Sequence, residues 1–301
     1  MSPIIHAIIL TLDEEQHIGR CIESLGAQCT SITIIDCGSK DHTAEIARGL
    51  GAEVLFNPFI SHADQVNFAI TALASRPGWL FRIDADEVLD AASRQTLTEA
   101  LQVLPDAVDG VLVQRRIHFL GRRLKFGSIE PSWQLRLWRN GSGRCEQRWM
   151  DEHIKVTGTV IKSNVVLSDI NLNSITWWTN KHNTYASREA IEQLNRKYRF
   201  MLTDDIVGLS KQARRRRFLK EVVYGRMPAG MRALTYFLYR YVVRLGFLDG
   251  TSGLYFHVLQ GLWYRTLVDA KVAEIEAHVK VTGCTIVEAI QSRTGISIPS
   301  S

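Results

Sequence analysis

Three carboxylates crowd the end of an apolar run at Phe81-Arg82-Ile83-Asp84-Ala85-Asp86-Glu87. A strand over Trp79 to Ile83 would carry Asp84 and Asp86 two positions apart, pointing to one side. The pair would converge just past the strand's C-terminal end, where open α/β sheets place ligands. Clustered carboxylates repel unless a cation lies between them, and hard oxygen ligands suit Mg²⁺ or Mn²⁺. A second acidic group, Asp36, closes the β-rich run Ile32 to Ile35 ahead of Cys37-Gly38-Ser39-Lys40-Asp41. Gly38 permits a tight turn, and Ser39 or Asp41 can cap the next helix. Capping does not account for Asp36, which at a strand end can accept from a nucleobase N–H or a ribose hydroxyl.

The first hundred residues alternate the two periodicities that would position these groups. Ile4 to Leu10, Ile32 to Ile35, Glu53 to Phe56 and Trp79 to Ile83 read as strands. Asp13 to Leu25, Thr43 to Leu50 and Asp64 to Ala74 carry helical spacing between them. Strands alternating with helices imply βαβ units and a parallel sheet. Val111 to Arg116 and Gln134 to Arg139 look like later strands, with a turn at Gly141-Ser142-Gly143. From about Thr179 long helical patterns take over, with a basic run at Arg214 to Arg217 and aromatic-rich stretches from Ala233 to Tyr264.

Composition bounds the function classes. The chain has 301 residues, 46% hydrophobic and 22% charged, as expected of a folded globular protein. A net charge of +5 is too mild to imply nucleic acid, and no nucleic-acid module is present. Five cysteines, an odd number without C-x-x-C spacing, argue for reduced thiols and against a zinc site or disulfide framework. The N-terminal apolar run lacks a preceding basic region and reads as a strand. No uncharged apolar stretch reaches the ~18 residues that a membrane span needs.

Three motifs in order, Thr11-Leu12-Asp13-Glu14-Glu15, Ile34-Ile35-Asp36-Cys37-Gly38-Ser39-x-Asp41-x-Thr43 and Asp84-Ala85-Asp86-Glu87, resemble those of the family 2 glycosyltransferases. These are inverting enzymes of the GT-A fold. The resemblance covers residues 4–155 by motif and implies an α/β domain, a mixed sheet flanked by helices, over 1–178. A helical extension would occupy 179–301. Lys181-His182-Asn183-x-Tyr185-Ala186, Leu245-Gly246-Phe247-Leu248-Asp249-Gly250 and Trp263-Tyr264-Arg265 are similar to segments of a bacterial subgroup that builds lipopolysaccharide core or exopolysaccharide.

Site roles follow from that resemblance. Thr11 and Glu14 would flank the uridine, and Asp36 would hold the base. Asp84 would contact the ribose or the metal, and Asp86 would ligate a divalent cation, Mg²⁺ or Mn²⁺, bridging the diphosphate. Gln65 and Asn67 stand where the family places further donor contacts. Where the family usually begins its first motif with Asn, this chain has Leu12-Asp13.

Inversion needs a base for the acceptor hydroxyl. The candidates lie in Asp151-Glu152-His153: Glu152, which aligns with the subgroup's glutamate, or Asp151. Gln147-Arg148-Trp149 precedes this segment, whereas the processive synthases place a similar signature after it, so processivity is not expected. In the extension, Arg232, Arg240 and Arg244 with Tyr236, Phe237, Tyr239 and Tyr241 read as one basic, aromatic helix face suited to an anionic membrane surface.

The expected protein is thus a cytoplasmic enzyme, peripheral on the inner face of the cell membrane. It would move a sugar from a nucleotide-sugar, UDP-linked, to a glycolipid or lipid-linked oligosaccharide acceptor. Two other readings are a sugar-phosphate nucleotidyltransferase and a catalytically silent membrane- or partner-binding scaffold. The first calls for a Gly-rich, basic loop where Asp13-Glu14-Glu15 stands, and the second would not need the acidic set.

Overall fold

The computed structural model describes residues 2–146, 153–201 and 230–298. They divide into two compact units, at Leu172 and Asn173.

In the first unit, β1 (Ile5–Thr11), β2 (Ser31–Asp36), β3 (Glu53–Phe56) and β4 (Trp79–Asp84) pair in parallel in the order β3-β2-β1-β4. Parallel neighbours need crossovers, supplied by α1 (Ile18–Leu25), α2 (Thr43–Gly49) and α3 (His62–Ala72). Register puts Thr11 level with Asp36, and Leu10 level with Asp84. Three strand ends therefore finish at one height.

Beyond β4 the sheet turns antiparallel. β8 (Ser132–Arg139) runs against both β4 and β6 (Val108–Phe119), which pairs in parallel with β11 (Thr159–Ile170). The short β5 (Glu87–Leu89) closes the path against β11, setting Asp169 opposite Glu87. β7 (Arg122–Arg123) folds back on β6. The result is a mixed sheet with helices on its faces. Its first four strands are parallel, as the alternating periodicities require.

The sheet buries both faces. On one side Ile5, Ala7, Ile9 and Phe81 pack with Ile18, Cys21, Leu25 and, from α4 (Ala91–Gln102), Leu97 and Leu101. On the other, Ile8, Ile35 and Leu80 meet Ala63, Val66, Ala69 and Leu73 of α3. That layer also holds Cys145 and Ile154, from β9 (Gly143–Cys145) and β10 (Ile154–Val156), an antiparallel pair separate from the main sheet.

The helix expected from Asp13 begins only at Ile18. Asp13 has a left-handed φ of 56°, which breaks helical continuation there. The following amides turn outward to side chains of the next loop: Glu14 N donates to Thr43 Oγ1 at 2.7 Å and Glu15 N to Asp41 Oδ2 at 3.0 Å.

In the second unit, α5 (Ile175–Tyr198) is opened by Ser174, whose hydroxyl accepts from the Trp177 amide. It packs with α8 (Tyr264–Thr282) and α9 (Ile286–Thr294) around Ile191, Leu194, Ile275, Ala289 and Ile290. Between them, α6 (Met231–Leu238) continues into a π-helical stretch, Tyr239–Val243. After a turn, α7 (Gly250–Phe256) continues into another π-helical stretch, His257–Trp263.

The expected basic face of this unit does not form as read. Arg232 is paired with Asp269, and Arg240 is buried, donating to Gln260 Oε1 at 2.7 Å with Tyr236 beneath it. Arg232 on α6 turns to Asp269 of α8, and Arg240 in the first π-helical stretch turns to Gln260 of the second, while Arg244 is exposed. The Arg214–Arg217 run lies outside the described residues.

Candidate active site

Asp36, at the end of β2, is buried and accepts four hydrogen bonds. Thr11 Oγ1 and Ser39 Oγ donate to Oδ1 at 2.9 and 2.5 Å, and the Gly38 and Ser39 amides donate to Oδ2 at 3.0 and 2.9 Å. Burial alone would push this carboxyl up, but the donors from Ser39, Thr11 and Gly38 hold it below the ordinary range. Gly38, with φ of 102°, provides the turn that aims those amides back at the strand end.

The two loops following β1 and β2 are laced together. Asp13 N donates to Ser39 Oγ at 2.9 Å and Lys40 N donates to Asp13 Oδ1 at 2.8 Å. Glu14 Oε2 sits 2.6 Å from Nδ1 of the buried His17, whose Nε2 accepts from the Leu172 amide at 2.9 Å. That acceptor role places the ring proton on Nδ1, so His17 holds Glu14 with one nitrogen and the chain after β11 with the other.

Asp84 and Asp86 separate in role. Arg136 forks onto Asp84, with Nη1 to Oδ1 at 3.2 Å and Nη2 to Oδ2 at 2.8 Å, and also donates to Glu87 Oε1 at 2.7 Å. Arg115 Nε lies 3.4 Å from the same Glu87 oxygen, and its guanidinium also pairs with Asp169. Burial opposes the charge on Asp84, but Arg136 and Arg82 outweigh it and hold the carboxyl well below its usual range. Burial pushes Glu87 up to about 7, against Arg136 and with help from the Asp84 charge. Asp84 thus belongs to a salt-bridge network.

Asp86, in the turn between β4 and β5, has a different setting. Its Oδ2 accepts from Asn171 Nδ2 at 3.0 Å, and its main-chain carbonyl accepts from Ile170 N at 3.0 Å and Arg20 Nη2 at 3.2 Å. The carboxylate is half-buried, with one oxygen fixed by a neutral amide. Among the described residues no three His, Cys, Asp or Glu side chains cluster to cage a metal. A single oriented carboxylate nevertheless fits Mg²⁺ or Mn²⁺ held mainly by substrate phosphates and water. The residues present suit that arrangement at Asp86 better than at Asp84, whose two oxygens already face a guanidinium.

Gln65, only 2% exposed, donates through Nε2 to the carbonyls of Asn57 and Pro58 at 3.1 and 2.9 Å, while its Oε1 is buried without a hydrogen-bond partner. Asn57 N in turn donates to the Asp36 carbonyl at 3.0 Å, so Gln65 props the loop beside Asp36. Asn67 works elsewhere: its amide pairs with both the N–H and the C=O of Cys145, each at 3.0 Å. It pins β9 to α3.

Thr11, Asp36 and Asp84, the last residues of β1, β2 and β4, therefore gather with Glu14 and Asp86 of the turns that follow β1 and β4. Asp151 and Glu152 lie outside the described residues. On either side of them, Glu146 N donates to the His153 carbonyl at 3.1 Å, and the buried Glu146 carboxylate meets His153 Nδ1 at 3.2 Å and Lys155 Nζ at 3.0 Å.

Residues 6–161 match glycosyl transferase family 2, and the chain belongs to that family. It is a glycosyltransferase with the mixed α/β sheet of the GT-A class and a helical C-terminal region. The lipopolysaccharide core biosynthesis glycosyltransferase LpsC of Rhizobium meliloti is 38% identical over 145 residues, covering 46% of this chain and 52% of LpsC. An uncharacterized glycosyltransferase of Rickettsia typhi is 35% identical over 85 residues, 28% of each chain. The chain thus spans about half or less of the curated relatives it matches. Among solved structures, glucosyl-3-phosphoglycerate synthase from Mycobacterium tuberculosis, in complex with Mn²⁺, UDP and glucosyl-3-phosphoglycerate, aligns with a TM-score of 0.32 at 20% identity. That alignment covers 38% of this chain and 44% of the synthase.

Proposed function

We propose that this chain transfers one sugar, with inversion, from a UDP-linked donor to a hydroxyl of a lipopolysaccharide-core or lipid-linked oligosaccharide acceptor at the cytoplasmic face of the bacterial inner membrane. The observation that carries the reading is the division of labour between Asp84 and Asp86. One carboxylate is neutralised by Arg136, and the other is left oriented by Asn171 at the end of the central strands. The likeness to LpsC supports the lipopolysaccharide-core acceptor.

Thr11, Glu14, Asp36 and Gln65 form the nucleotide side of the site. Asp36 keeps the loop Gly38-Ser39 folded toward the donor. A uracil imide N–H reaches Asp36 Oδ1 by replacing the Ser39 or Thr11 hydroxyl there. Asp86 is the residue that would hold Mg²⁺ or Mn²⁺, and a cation bound there stabilises the charge that develops on departing UDP. Asp84 stays with Arg136 and shapes the strand end beneath the ribose. Glu152 or Asp151 takes the proton from the acceptor hydroxyl as it attacks the anomeric carbon opposite the leaving diphosphate.

The test is transfer of label from a panel of UDP-sugars to membranes of a strain lacking this protein. Labelled glycolipid should form with wild type and be lost with Glu152→Gln or with Asp151→Asn. Formation of a nucleotide-sugar from sugar 1-phosphate and nucleoside triphosphate, with no labelled glycolipid, would instead establish a nucleotidyltransferase.

A further inference from the structure

His17 is the residue just before α1 and is wholly buried, yet its ring does nothing for that helix. The position favours Ser, Thr, Asp or Asn, whose oxygens cap the first amides, and the imidazole makes no such bond. Both ring nitrogens are engaged elsewhere: Nδ1 lies 2.6 Å from Glu14 Oε2, and Nε2 accepts from the Leu172 amide at 2.9 Å. A local preference set aside at a buried position points to a demand made by the site.

Glu14 is held from both ends. Its main-chain N donates to Thr43 Oγ1 at 2.7 Å, and its side chain is fixed through Oε2 by His17. The side chain remains 13% exposed, and among the described residues Oε1 has no hydrogen-bond partner. An ionised carboxylate only accepts, so Oε1 suits an O–H or N–H donor, such as a ribose hydroxyl or an imide. An untethered glutamate samples several rotamers, and freezing them on binding lowers affinity. The buried imidazole removes that loss in advance.

The Leu172 end of the ring has its own consequence. Ile170 N donates to the Asp86 carbonyl at 3.0 Å, and Asn171 Nδ2 donates to Asp86 Oδ2 at 3.0 Å. Leu172 N, next in the chain, donates to His17. Three consecutive residues after the body of β11 thus hold Asp86 directly and Glu14 through one ring.

We propose that His17 is a positioning residue of the donor site, which presents Glu14 Oε1 to the nucleotide and sets it against the same piece of chain that orients Asp86. The inference rests on the proposed placement of Glu14 beside the nucleotide.

The experiment is UDP titration, with thermal melts, of the full chain carrying Glu14→Ala, His17→Asn, His17→Gln or Glu14→Ala with His17→Gln. The Asn amide nitrogen stands in for Nδ1 and the Gln amide oxygen for Nε2. His17→Asn therefore keeps the link to Glu14, and His17→Gln keeps only the link to Leu172. Glu14→Ala and His17→Gln should each weaken UDP binding about tenfold, with His17→Asn close to wild type. The double variant should bind no more weakly than Glu14→Ala alone. Equal affinities of the Asn and Gln variants, or additive losses in the double variant, would overturn the inference. Wild type supplies a readout that needs no variant to fold: in ¹⁵N spectra of the histidine rings, a signal protonated on Nδ1 should move on saturation with UDP. Ring signals indifferent to bound UDP would also overturn it. Wild-type affinity in Glu14→Ala removes the placement of Glu14 beside the nucleotide and the inference with it. A loss in Glu14→Ala with none in His17→Gln removes the positioning role alone.

Discussion

Arg136 reaches Asp84 with both terminal nitrogens, at 3.2 and 2.8 Å, and gives the second of them also to Glu87 at 2.7 Å. One guanidinium thus neutralises two carboxylates beneath the candidate metal ligand. Breaking a buried pair from one side leaves an uncompensated charge, which costs about 3–5 kcal/mol. Arg136→Met should lower unfolding stability by about that amount in urea, and Arg136→Lys by less, because an ammonium keeps the charge although it cannot fork. A loss under about 1 kcal/mol for Arg136→Met would show the network to be solvated.

Asp86 should behave differently from Asp84. Asp86→Ala removes a half-buried carboxylate bonded to one neutral amide, so unfolding stability should change by about 1 kcal/mol or less. Activity should fall by two orders of magnitude or more, about 2.7 kcal/mol of transition-state stabilisation. Asp84→Asn should cost stability first, because its partner Arg136 is buried and would be left with one carboxylate fewer. Paired urea melts and transfer rates separate the two.

Asn67→Ala should act at a distance from the chemistry. The substitution removes two hydrogen bonds to the Cys145 main chain, each worth about 0.5–1.5 kcal/mol. Since β9 leads toward Asp151 and Glu152, the rate should fall with little change in UDP affinity. Loss of UDP affinity alone would return Asn67 to the donor site.

Two buried groups give the units opposite pH responses. Glu87 is raised from 4.5 to about 7, so the folded state binds the extra proton between those values. Its contribution to stability is therefore greatest below pH 4.5 and is lost as pH rises toward 7. His257 is lowered from 6.5 to about 4 by burial and by Arg240. There the unfolded state binds the extra proton, so stability is full above pH 6.5 and is lost as pH falls toward 4. Glu87→Gln should flatten the first trend in the catalytic unit and His257→Phe the second in the helical unit, read by thermal melts with a probe in each. An unchanged pH dependence in either variant would contradict the assignment.

The helical unit depends on one close approach. A Cβ on Gly246 would lie 2.5 Å from His257 Nε2, on a buried ring with little room to withdraw. Gly246→Ala should destabilise by about 1–3 kcal/mol, and combining it with a smaller side chain at 257 should recover part of the loss in a double-mutant cycle.

What the sequence made legible were the parallel strands and the acidic groups at their ends, because apolar runs and strand-terminal Thr11, Asp36 and Asp84 are local signals. The antiparallel half was harder. Arg115 and Arg136 sit in strands and would ordinarily count as solvent-facing, yet both turn inward to Glu87. Their partners are 28 and 49 positions away in order of the chain, a separation that no periodicity records. His17 and Asn171 give no signal for the same reason: the end of β11 brings Leu172 to His17 and Asn171 to Asp86 from far along the chain. The basic helix face was misread because Arg232 and Arg240 meet Asp269 and Gln260 of a later segment.

The most direct test of the central claim is calorimetric titration of UDP, with and without Mn²⁺, into wild type and Asp86→Ala. Mn²⁺ should tighten UDP binding to wild type at least tenfold, and Asp86→Ala should retain the weak metal-free binding while losing the metal response. A full metal response in Asp86→Ala, or no UDP binding by folded wild type, would contradict the site proposed at the strand ends.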